Sequence, residues 1–244
     1  MSMRDVVLLH GWGSGAAVWD DLARRLQPRF RIHAVPLPGY GTDTARAAHS
    51  MEVIVAAVSG AAPRRCAVVG WSLGGEVALA WARRAPHQVK RLVLIATTPC
   101  FTSKSGWRCG TAPAALREFG RALVEDRAGT LARFIAVQAK GDARAKRVAG
   151  VLQRLYERGP HADVLATGLA VLSSTDLRRE LSSVGQPALV LHGARDRIVP
   201  PAAGRRLAEA LPNARFELLR ACAHAPFLGQ PERVARLLRD FLHG

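Results

Sequence analysis

The chain has 244 residues, 49% of them hydrophobic, so it can bury one sizeable core, and one domain with an inserted segment is the expected organisation. No apolar run approaches the ~20 residues of a membrane span, and no basic and apolar leader precedes the first strand, so we expect a cytoplasmic protein that does not enter a membrane. The four cysteines have neither metal-binding spacing nor the pattern of a disulfide framework, which predicts reduced thiols, with Cys66 in the core.

Positive charge dominates the composition: the formal net charge is +16, and 31 of the 35 basic residues are arginine. The arginines are dispersed and accompany no nucleic-acid recognition motif, so we expect no nucleic-acid partner and attribute the bias to genomic base composition. Charge concentrates only between Arg127 and Arg158, where the chain has eight basic and two acidic residues. This region could steer a large anionic partner towards the protein.

Six short strand-like runs alternate with helical patterns along most of the chain. They lie near residues 5 to 9, 31 to 35, 65 to 70, 90 to 96, 187 to 192 and 214 to 219. Such alternation predicts an α/β protein with a mostly parallel sheet that helices cover on both faces.

The first strand, Val6 to Leu9, runs into the glycine-rich turn His10 to Gly13. Dinucleotide-binding folds also place a glycine turn after a strand, but Gly11, Gly13 and Gly15 do not have that spacing. The next strand also ends without an acidic residue to hold a ribose. The turn is instead suited to aim a backbone amide at a reacting carbonyl.

A serine at a strand-to-helix turn is the most informative feature of the chain. The segment Gly70-Trp-Ser72-Leu-Gly74 follows the β-branched run Cys66 to Val69 and precedes a helical pattern that begins at Gly75. Glycines on both sides let the strand and the helix approach closely around a strained elbow, which exposes the serine hydroxyl at the carboxyl end of the sheet. The alternative is an ordinary glycine-serine turn that caps a helix.

The alternation of strands and helices stops between Cys100 and Pro187. Four segments there have apolar residues at helical spacing, separated by breaks at Pro113, Gly141 and Pro160; they are residues 114 to 124, 130 to 139, 145 to 157 and 162 to 172. We therefore predict a core of residues 1–100 and 186–244 and a helical insertion, residues 101–185, that covers the carboxyl edge of the sheet as a lid. A packing extension unrelated to ligand is the alternative.

A serine nucleophile needs a base, and the base needs a group that orients it. Two of the eight histidines, His10 and His192, are expected to make structural hydrogen bonds, and five more lie in a strand, in loops or at helix edges: His33, His49, His87, His161 and His243. The remaining candidate is His224, between the last strand and the last amphipathic helix. Asp196, in the loop after the preceding strand, completes the order serine, aspartate, histidine of the α/β-hydrolase fold.

The oxyanion of such a reaction would be bound by two backbone amides. We assign them to Trp12, in the first glycine turn, and to Leu73, which follows the nucleophile. The expected chemistry is two-step acyl transfer at Ser72, which requires neither a metal nor an organic cofactor.

Six segments in combination indicate a family within this fold. They are His10 to Gly13, Leu37 to Gly41, Gly70 to Gly75, Pro99 to Phe101, Arg133 to Gln138 and Ala223 to Phe227. Together they resemble the pimeloyl-acyl-carrier-protein methyl ester esterases of biotin synthesis, over nearly the whole chain. The resemblance implies hydrolysis of the methyl ester at the far end of a pimeloyl chain, with release of methanol. A general short-chain carboxylesterase, or a carbon-carbon bond or thioester hydrolase of the same fold, is the alternative.

The resemblance also implies roles for residues. Ser72, Asp196 and His224 would form the triad, Trp12 and Leu73 would frame the ester, and five residues would line the acyl channel: Phe134, Ile135, Ala136, Val137 and Gln138. Contacts to an acyl-carrier protein would lie on basic residues of the insertion. Arg133 matches that pattern and Lys146 matches in charge only, while Gly129 and Gly150 stand where relatives carry arginine. Four neighbouring arginines are candidate substitutes: Arg127, Arg144, Arg147 and Arg154.

The start of the chain departs from the family pattern, because only five residues precede the first strand where relatives have an additional strand or hairpin. We expect shortened or missing amino-terminal strands, which leaves the strand Ile32 to Val35 at an exposed edge. The chain is expected to be a monomer whose edge is protected by Pro36 and Pro38. Edge pairing with a second chain is the alternative, and light scattering distinguishes the two.

Overall fold

A computed structural model describes residues 4–27, 29–40, 50–157 and 159–243 of the chain. Gly41, in one family-like segment, and Arg158, in the basic region, lie outside these ranges. The described residues form one sheet of six parallel strands in the order β2-β1-β3-β4-β5-β6. The strands are β1 (Arg4–Leu9), β2 (Phe30–Val35), β3 (Cys66–Trp71), β4 (Val89–Ile95), β5 (Ala188–Gly193) and β6 (Ala214–Leu219). Each lies within one or two residues of its predicted position.

The central strands are buried on both faces, which explains why they read as continuous apolar runs. All six residues of β5 are buried, and Cys66 at the start of β3 is buried as expected. In contrast, β2 has exposed and half-buried positions along its length and pairs only with β1 among the described strands. The strand therefore lies at an edge of the described sheet, as expected for Ile32 to Val35.

Ten α-helices surround the sheet in the described part of the chain: α1 (Asp20–Leu26), α2 (Met51–Gly60), α3 (Leu73–Arg84), α4 (Pro113–Glu125), α5 (Arg127–Ala139), α6 (Ala145–Glu157), α7 (Ala162–Ser174), α8 (Pro201–Ala210), α9 (Pro226–Gly229) and α10 (Pro231–His243). The last helix shows why such segments fold against a sheet: Val234, Leu238 and Leu242 recur at four-residue intervals and are buried. Among the helices described, none combines the length and apolar character needed to cross a bilayer.

The helices α4 to α7 lie between β4 and β5, in the region assigned to the insertion. The main difference from the sequence is at α5, which begins at Arg127 and not near residue 130, because the Asp126 side chain accepts a hydrogen bond from the Gly129 amide and caps the helix. Two long-range hydrogen bonds attach the insertion to the turn after β1. The Tyr156 hydroxyl donates to the Trp12 carbonyl (2.8 Å), and the Trp12 indole donates to the Leu165 carbonyl (2.9 Å). The insertion therefore packs against the carboxyl end of the sheet.

Candidate active site

Ser72 occupies the single residue between β3 and α3. Its φ of 54° and ψ of −120° lie in a region that residues other than glycine rarely adopt. The crossing is possible only because Gly70 and Gly74 lack side chains: a Cβ at Gly70 would collide with the Gly74 carbonyl, and one at Gly74 would collide with the Leu9 carbonyl. The sequence thus folds into a strained elbow with the serine at its tip.

Hydrogen bonds fix the backbone of this elbow. The Ser72 amide donates to the Ile95 carbonyl (2.9 Å), while the Ser72 carbonyl accepts from the Thr97 hydroxyl (2.7 Å) and the Gly75 amide (2.9 Å). Neighbouring elements therefore hold the strained conformation, and the side chain of Ser72 faces a cavity above the sheet.

His224 lines the same cavity and is buried. Its amide donates to the Gln138 carbonyl of α5 (3.1 Å), and its carbonyl accepts from the indole of Trp71 (2.8 Å). Its Nδ1 lies 2.8 Å from Oδ2 of Asp196. If Asp196 is ionised, this carboxylate can only accept, so Nδ1 carries the proton and Nε2 keeps a lone pair available as a base.

Asp196 is buried at the carboxyl end of β5. Its Oδ1 accepts hydrogen bonds from the amides of Ile198 (2.9 Å) and Val199 (3.0 Å). Burial alone would raise the pKa of the carboxyl, but the charge of His224 and hydrogen bonds from His192 and His224 outweigh it, and the pKa lies below its ordinary value. Asp196 is therefore an anion at neutral pH, as an orienting group for His224 must be.

The cavity above Ser72 has a volume of about 360 Å³ and mainly apolar walls. Helices α4, α5 and α7 supply most of the walls, and three aromatic rings pack together there: Trp12, Phe119 and Phe134, with centroids 5.3 to 5.6 Å apart. An apolar group therefore fits beside the serine better than a polar one.

Only part of the predicted acyl channel faces this cavity. Phe134, Val137 and Gln138 line it, but Ile135 is buried on another side of α5 and Ala136 is exposed. The assignment of Ile135 and Ala136 to the channel is therefore corrected. Five consecutive residues of a helix cannot face one side, whereas positions i, i+3 and i+4 can.

Several cavity residues were not anticipated from the sequence: Phe101, Leu116, Phe119, Leu169, Leu172 and Arg197. The spacing of Leu116 and Phe119, and of Leu169 and Leu172, did indicate the inward faces of α4 and α7. The same spacing describes a helix packed in a core, so the pattern could not distinguish a cavity wall from a filled interior.

The two proposed oxyanion donors lie on either side of the elbow. Leu73 is the first residue of α3, and Trp12 follows Gly11, where a Cβ would lie 3.2 Å from Cβ of Ser72. Neither the Trp12 amide nor the Leu73 amide donates a hydrogen bond to another described residue. Both amides thus lack a partner among the described residues, and they stay the predicted donors to the oxyanion.

The basic residues of the insertion divide into two groups. Arg133 lines the cavity, and its guanidinium lies 3.6 Å from the Asp126 carboxylate. Lys146 is exposed on α6, whereas Arg144 and Arg147 lie near Glu232 (4.0 Å) and Asp21 (3.5 Å) on helices of the core. Only Arg133 of these four lines the space above Ser72.

The two histidines expected to be structural are indeed buried and hydrogen-bonded. Nδ1 of His10 donates to the Gly11 carbonyl (2.8 Å), its Nε2 accepts from the Leu37 amide (3.0 Å), and burial lowers its pKa to about 4. His192 bonds the Val199 carbonyl (2.9 Å), and its Nε2 also lies 3.3 Å from Oδ2 of Asp196. The sequence did not indicate this second contact.

The fold and the site define a class of protein. The chain belongs to the alpha/beta hydrolase fold family, whose model matches residues 6–231. An esterase from Exiguobacterium antarcticum shares the fold with a TM-score of 0.91 at 22% identity, over 100% of this chain and 93% of that one. An enol-lactonase from Burkholderia xenovorans LB400 does so with a TM-score of 0.87 at 22% identity, over 100% and 93%.

Relatives with higher sequence identity show which family within this fold the chain belongs to. The chain is 41% identical to a pimeloyl-[acyl-carrier protein] methyl ester esterase of Nitrosomonas europaea, over 94% of this chain and 92% of the relative. It is 42% identical to the protein of that name in Aromatoleum aromaticum, over 100% of both. Within the alpha/beta hydrolases, the chain therefore belongs to the pimeloyl-[acyl-carrier protein] methyl ester esterase family, and the resemblance drawn from its segments is confirmed.

Proposed function

We propose that the chain is a serine carboxylesterase that hydrolyses the methyl ester of pimeloyl-acyl-carrier protein to free pimeloyl-acyl-carrier protein and methanol, a step of biotin biosynthesis. One observation carries the chemistry: Ser72, at a strained elbow, shares an apolar cavity with His224, whose Nδ1 lies 2.8 Å from the carboxylate of Asp196. The identity of 41–42% to esterases of this name supports the substrate.

The proposed reaction has two halves. Nε2 of His224 takes the proton of the Ser72 hydroxyl as Oγ attacks the ester carbonyl, and the amides of Trp12 and Leu73 stabilise the oxyanion. His224 then gives that proton to the leaving methoxide, and methanol departs. Water attacks the acyl-serine in the same way, with His224 again as base and then as acid, and releases the free carboxylate.

The apolar cavity suits the long methylene chain of this substrate. Burying each methylene group contributes about 0.8 kcal/mol, so a chain along the wall formed by Phe134 and Val137 supplies binding energy without any charged contact. The carrier protein is too large to enter and would stay at the surface of the insertion.

The carrier would meet basic residues of the insertion. Arg133 is the best placed of them because it lines the cavity from which the acyl chain would emerge. Arg144, which directly precedes α6, and Lys146 and Arg147 on α6 are further candidates, but Arg144 and Arg147 already lie near carboxylates of the core. Charges at the edge of an interface raise the rate of association more than they raise the stability of the complex.

Purified protein tests the proposal directly. We expect methanol release from methyl pimeloyl-acyl-carrier protein, with a kcat/KM well above that for a nitrophenyl ester of a short acid, and loss of both activities in Ser72→Ala. The gene should also restore biotin-independent growth to a strain that lacks its own pimeloyl ester esterase. Activity on simple esters without either result would support the general carboxylesterase instead.

A further inference from the structure

We infer that His192 is a positioning residue for the catalytic aspartate: it fixes the turn 196–199 to the end of β5 and so holds the Asp196 carboxylate towards His224. The inference deepens the proposed function and rests on the proposed roles of Asp196 and His224. Its subject is a histidine whose ring is completely buried near the end of β5 and makes no contribution to the cavity wall.

The hydrogen bonds fix which nitrogen of this ring carries the proton. Nε2 of His192 lies 2.9 Å from the Val199 carbonyl, which can only accept, so the proton is on Nε2. The same N–H edge lies 3.3 Å from Oδ2 of Asp196. His192 therefore presents a donor to the turn and a positive edge to the carboxylate.

Val199 is held from two sides. Its amide donates to Oδ1 of Asp196 (3.0 Å), and its carbonyl accepts from His192 (2.9 Å). Hydrogen bonds to the Asp196 carboxylate on one side and to the His192 ring on the other thus hold the backbone of the turn. Without the ring, the Val199 carbonyl would lose its partner among the described residues. The backbone of the turn would then keep the hydrogen bond from the Val199 amide to Asp196 and the packing of the Val199 side chain, and it could shift together with the carboxylate.

The environment of the other ring nitrogen, Nδ1, indicates that His192 does more than fill space in the core. Nδ1 of His192 is buried without a hydrogen-bond partner among the described residues, and it faces α8 so closely that a Cβ at Gly204 would collide with it. A buried unpaired acceptor costs stability, and a phenylalanine ring of similar size would avoid that cost. The benefit that offsets it lies on the Nε2 side, at Asp196.

The Asp196 carboxylate needs accurate placement, because its Oδ2 lies 2.8 Å from Nδ1 of His224 and selects the tautomer that leaves Nε2 free as a base. A misplacement of about 1 Å in a catalytic group can cost about 100-fold in rate, and the partners that orient ligands in metal sites contribute about 10- to 100-fold by the same positioning effect. We expect a loss in that range for His192→Phe, in kcat and not in KM.

The test compares two substitutions in two backgrounds on a neutral nitrophenyl ester. His192→Gln places an amide N–H near the position of Nε2 and should keep kcat within about threefold, whereas His192→Phe should lose about 10- to 100-fold. In an Asp196→Asn background His192→Phe should change kcat by less than about twofold, because the group that it positions has lost its charge. Equal losses from His192→Phe in both backgrounds, or no loss in the first, would overturn the inference.

The chain offers a matched control for stability. Gln186 is also buried beside β5, also has an unpaired acceptor, and donates to the Ala82 carbonyl (2.8 Å) far from Asp196. We expect Gln186→Leu to change the melting temperature about as much as His192→Phe while leaving kcat unchanged. A similar loss of kcat in Gln186→Leu would assign the effect to folding.

A second measurement does not depend on turnover. Proton NMR of the resting protein should show a strongly downfield resonance for the proton between His224 and Asp196. It should persist in His192→Gln and shift or broaden in His192→Phe. Absence of ester hydrolysis together with this pattern would reject the proposed function and keep the positioning role, while an unchanged resonance in folded His192→Phe would reject the positioning role alone.

Discussion

The carboxyl edge of the sheet and the helical insertion build the same cavity in different ways. At the sheet edge, Ser72, Asp196 and His224 are fixed by backbone hydrogen bonds from neighbouring elements. In the insertion, the helices α4, α5 and α7 supply apolar side chains to the cavity and also carry exposed positions. The proposed reactive groups are therefore held by a hydrogen-bonded frame, whereas the shape of the cavity depends on apolar side chains that helix faces present.

Trp12 joins the two regions. Its carbonyl accepts from Tyr156 and its indole donates to Leu165, both in the insertion, while its amide is a proposed oxyanion donor. Gly168 of α7 lies so close that a Cβ there would be 2.8 Å from the indole ring. Packing of the insertion and placement of this amide are therefore coupled through one residue. Substitutions in each region test whether the sheet edge governs the reaction and the insertion governs the binding of substrate.

The largest effect is expected at the sheet edge, from Ser72→Ala. Removal of the nucleophile should lower kcat by about 10⁶ while the cavity still binds the acyl chain. The measurement is single-turnover kinetics on a nitrophenyl ester, with binding of a product carboxylate as the control for an intact fold. Near-normal turnover would refute the nucleophile.

Asp196→Asn should have the next largest effect. The amide keeps the shape of the side chain but favours the wrong tautomer of His224, and kcat should fall by about 10⁴ with little change in KM. The melting temperature should show that the variant is folded. A fall of only a few-fold would mean that another group orients His224.

Glu76, one turn after Ser72 on α3, tests whether the sheet edge is optimised for stability. Its carboxyl is buried, one oxygen has no partner among the described residues, and burial raises its pKa well above the ordinary 4.5, opposed in part by the charge of Lys104. Because the unfolded chain ionises first as pH rises, stability contributed by this group declines above pH 4.5. Glu76→Leu should remove that decline.

We therefore expect Glu76→Leu to raise the free energy of unfolding at pH 8 by about 1–3 kcal/mol, with a smaller gain near pH 5. Denaturant titrations of both proteins at several pH values measure the difference. A gain that does not change with pH would show that Glu76 stays in one protonation state throughout.

Within the insertion, two adjacent residues of α5 separate cavity from surface. Val137 lines the cavity and Ala136 does not. Val137→Asn should lower kcat/KM for long-chain esters about tenfold, because it removes apolar contact with the chain, and should spare short-chain esters. Ala136→Asn is the matched control and should leave both unchanged. Equal effects of the two substitutions would mean that the acyl chain does not follow this wall.

The smallest effects are expected from exposed charges of the insertion. Arg133→Gln should slow reaction with the carrier-linked substrate about threefold to tenfold at low salt, and less at high salt, and should spare small esters. The combined variant Arg144→Gln, Lys146→Gln, Arg147→Gln should have a weaker effect, because two of its cations lie near core carboxylates. A stronger effect of the triple variant would place the carrier contact at the start of α6 and the residue before it, and not at Arg133.

The sequence by itself determined the elements and the order of the candidate site residues. The six strands and the four helices of the insertion were located to within a few residues because hydrophobic periodicity is local. The elbow at Ser72 was evident from its flanking glycines, which the close packing of strand and helix requires. The tertiary structure decided what depends on distance: which side of α5 faces the cavity, where Arg144 and Arg147 point, and that His192 touches Asp196. The pattern of residue types indicates which side chains are buried. Which buried groups come within hydrogen-bond distance of each other is determined only by the packing of the elements that carry them.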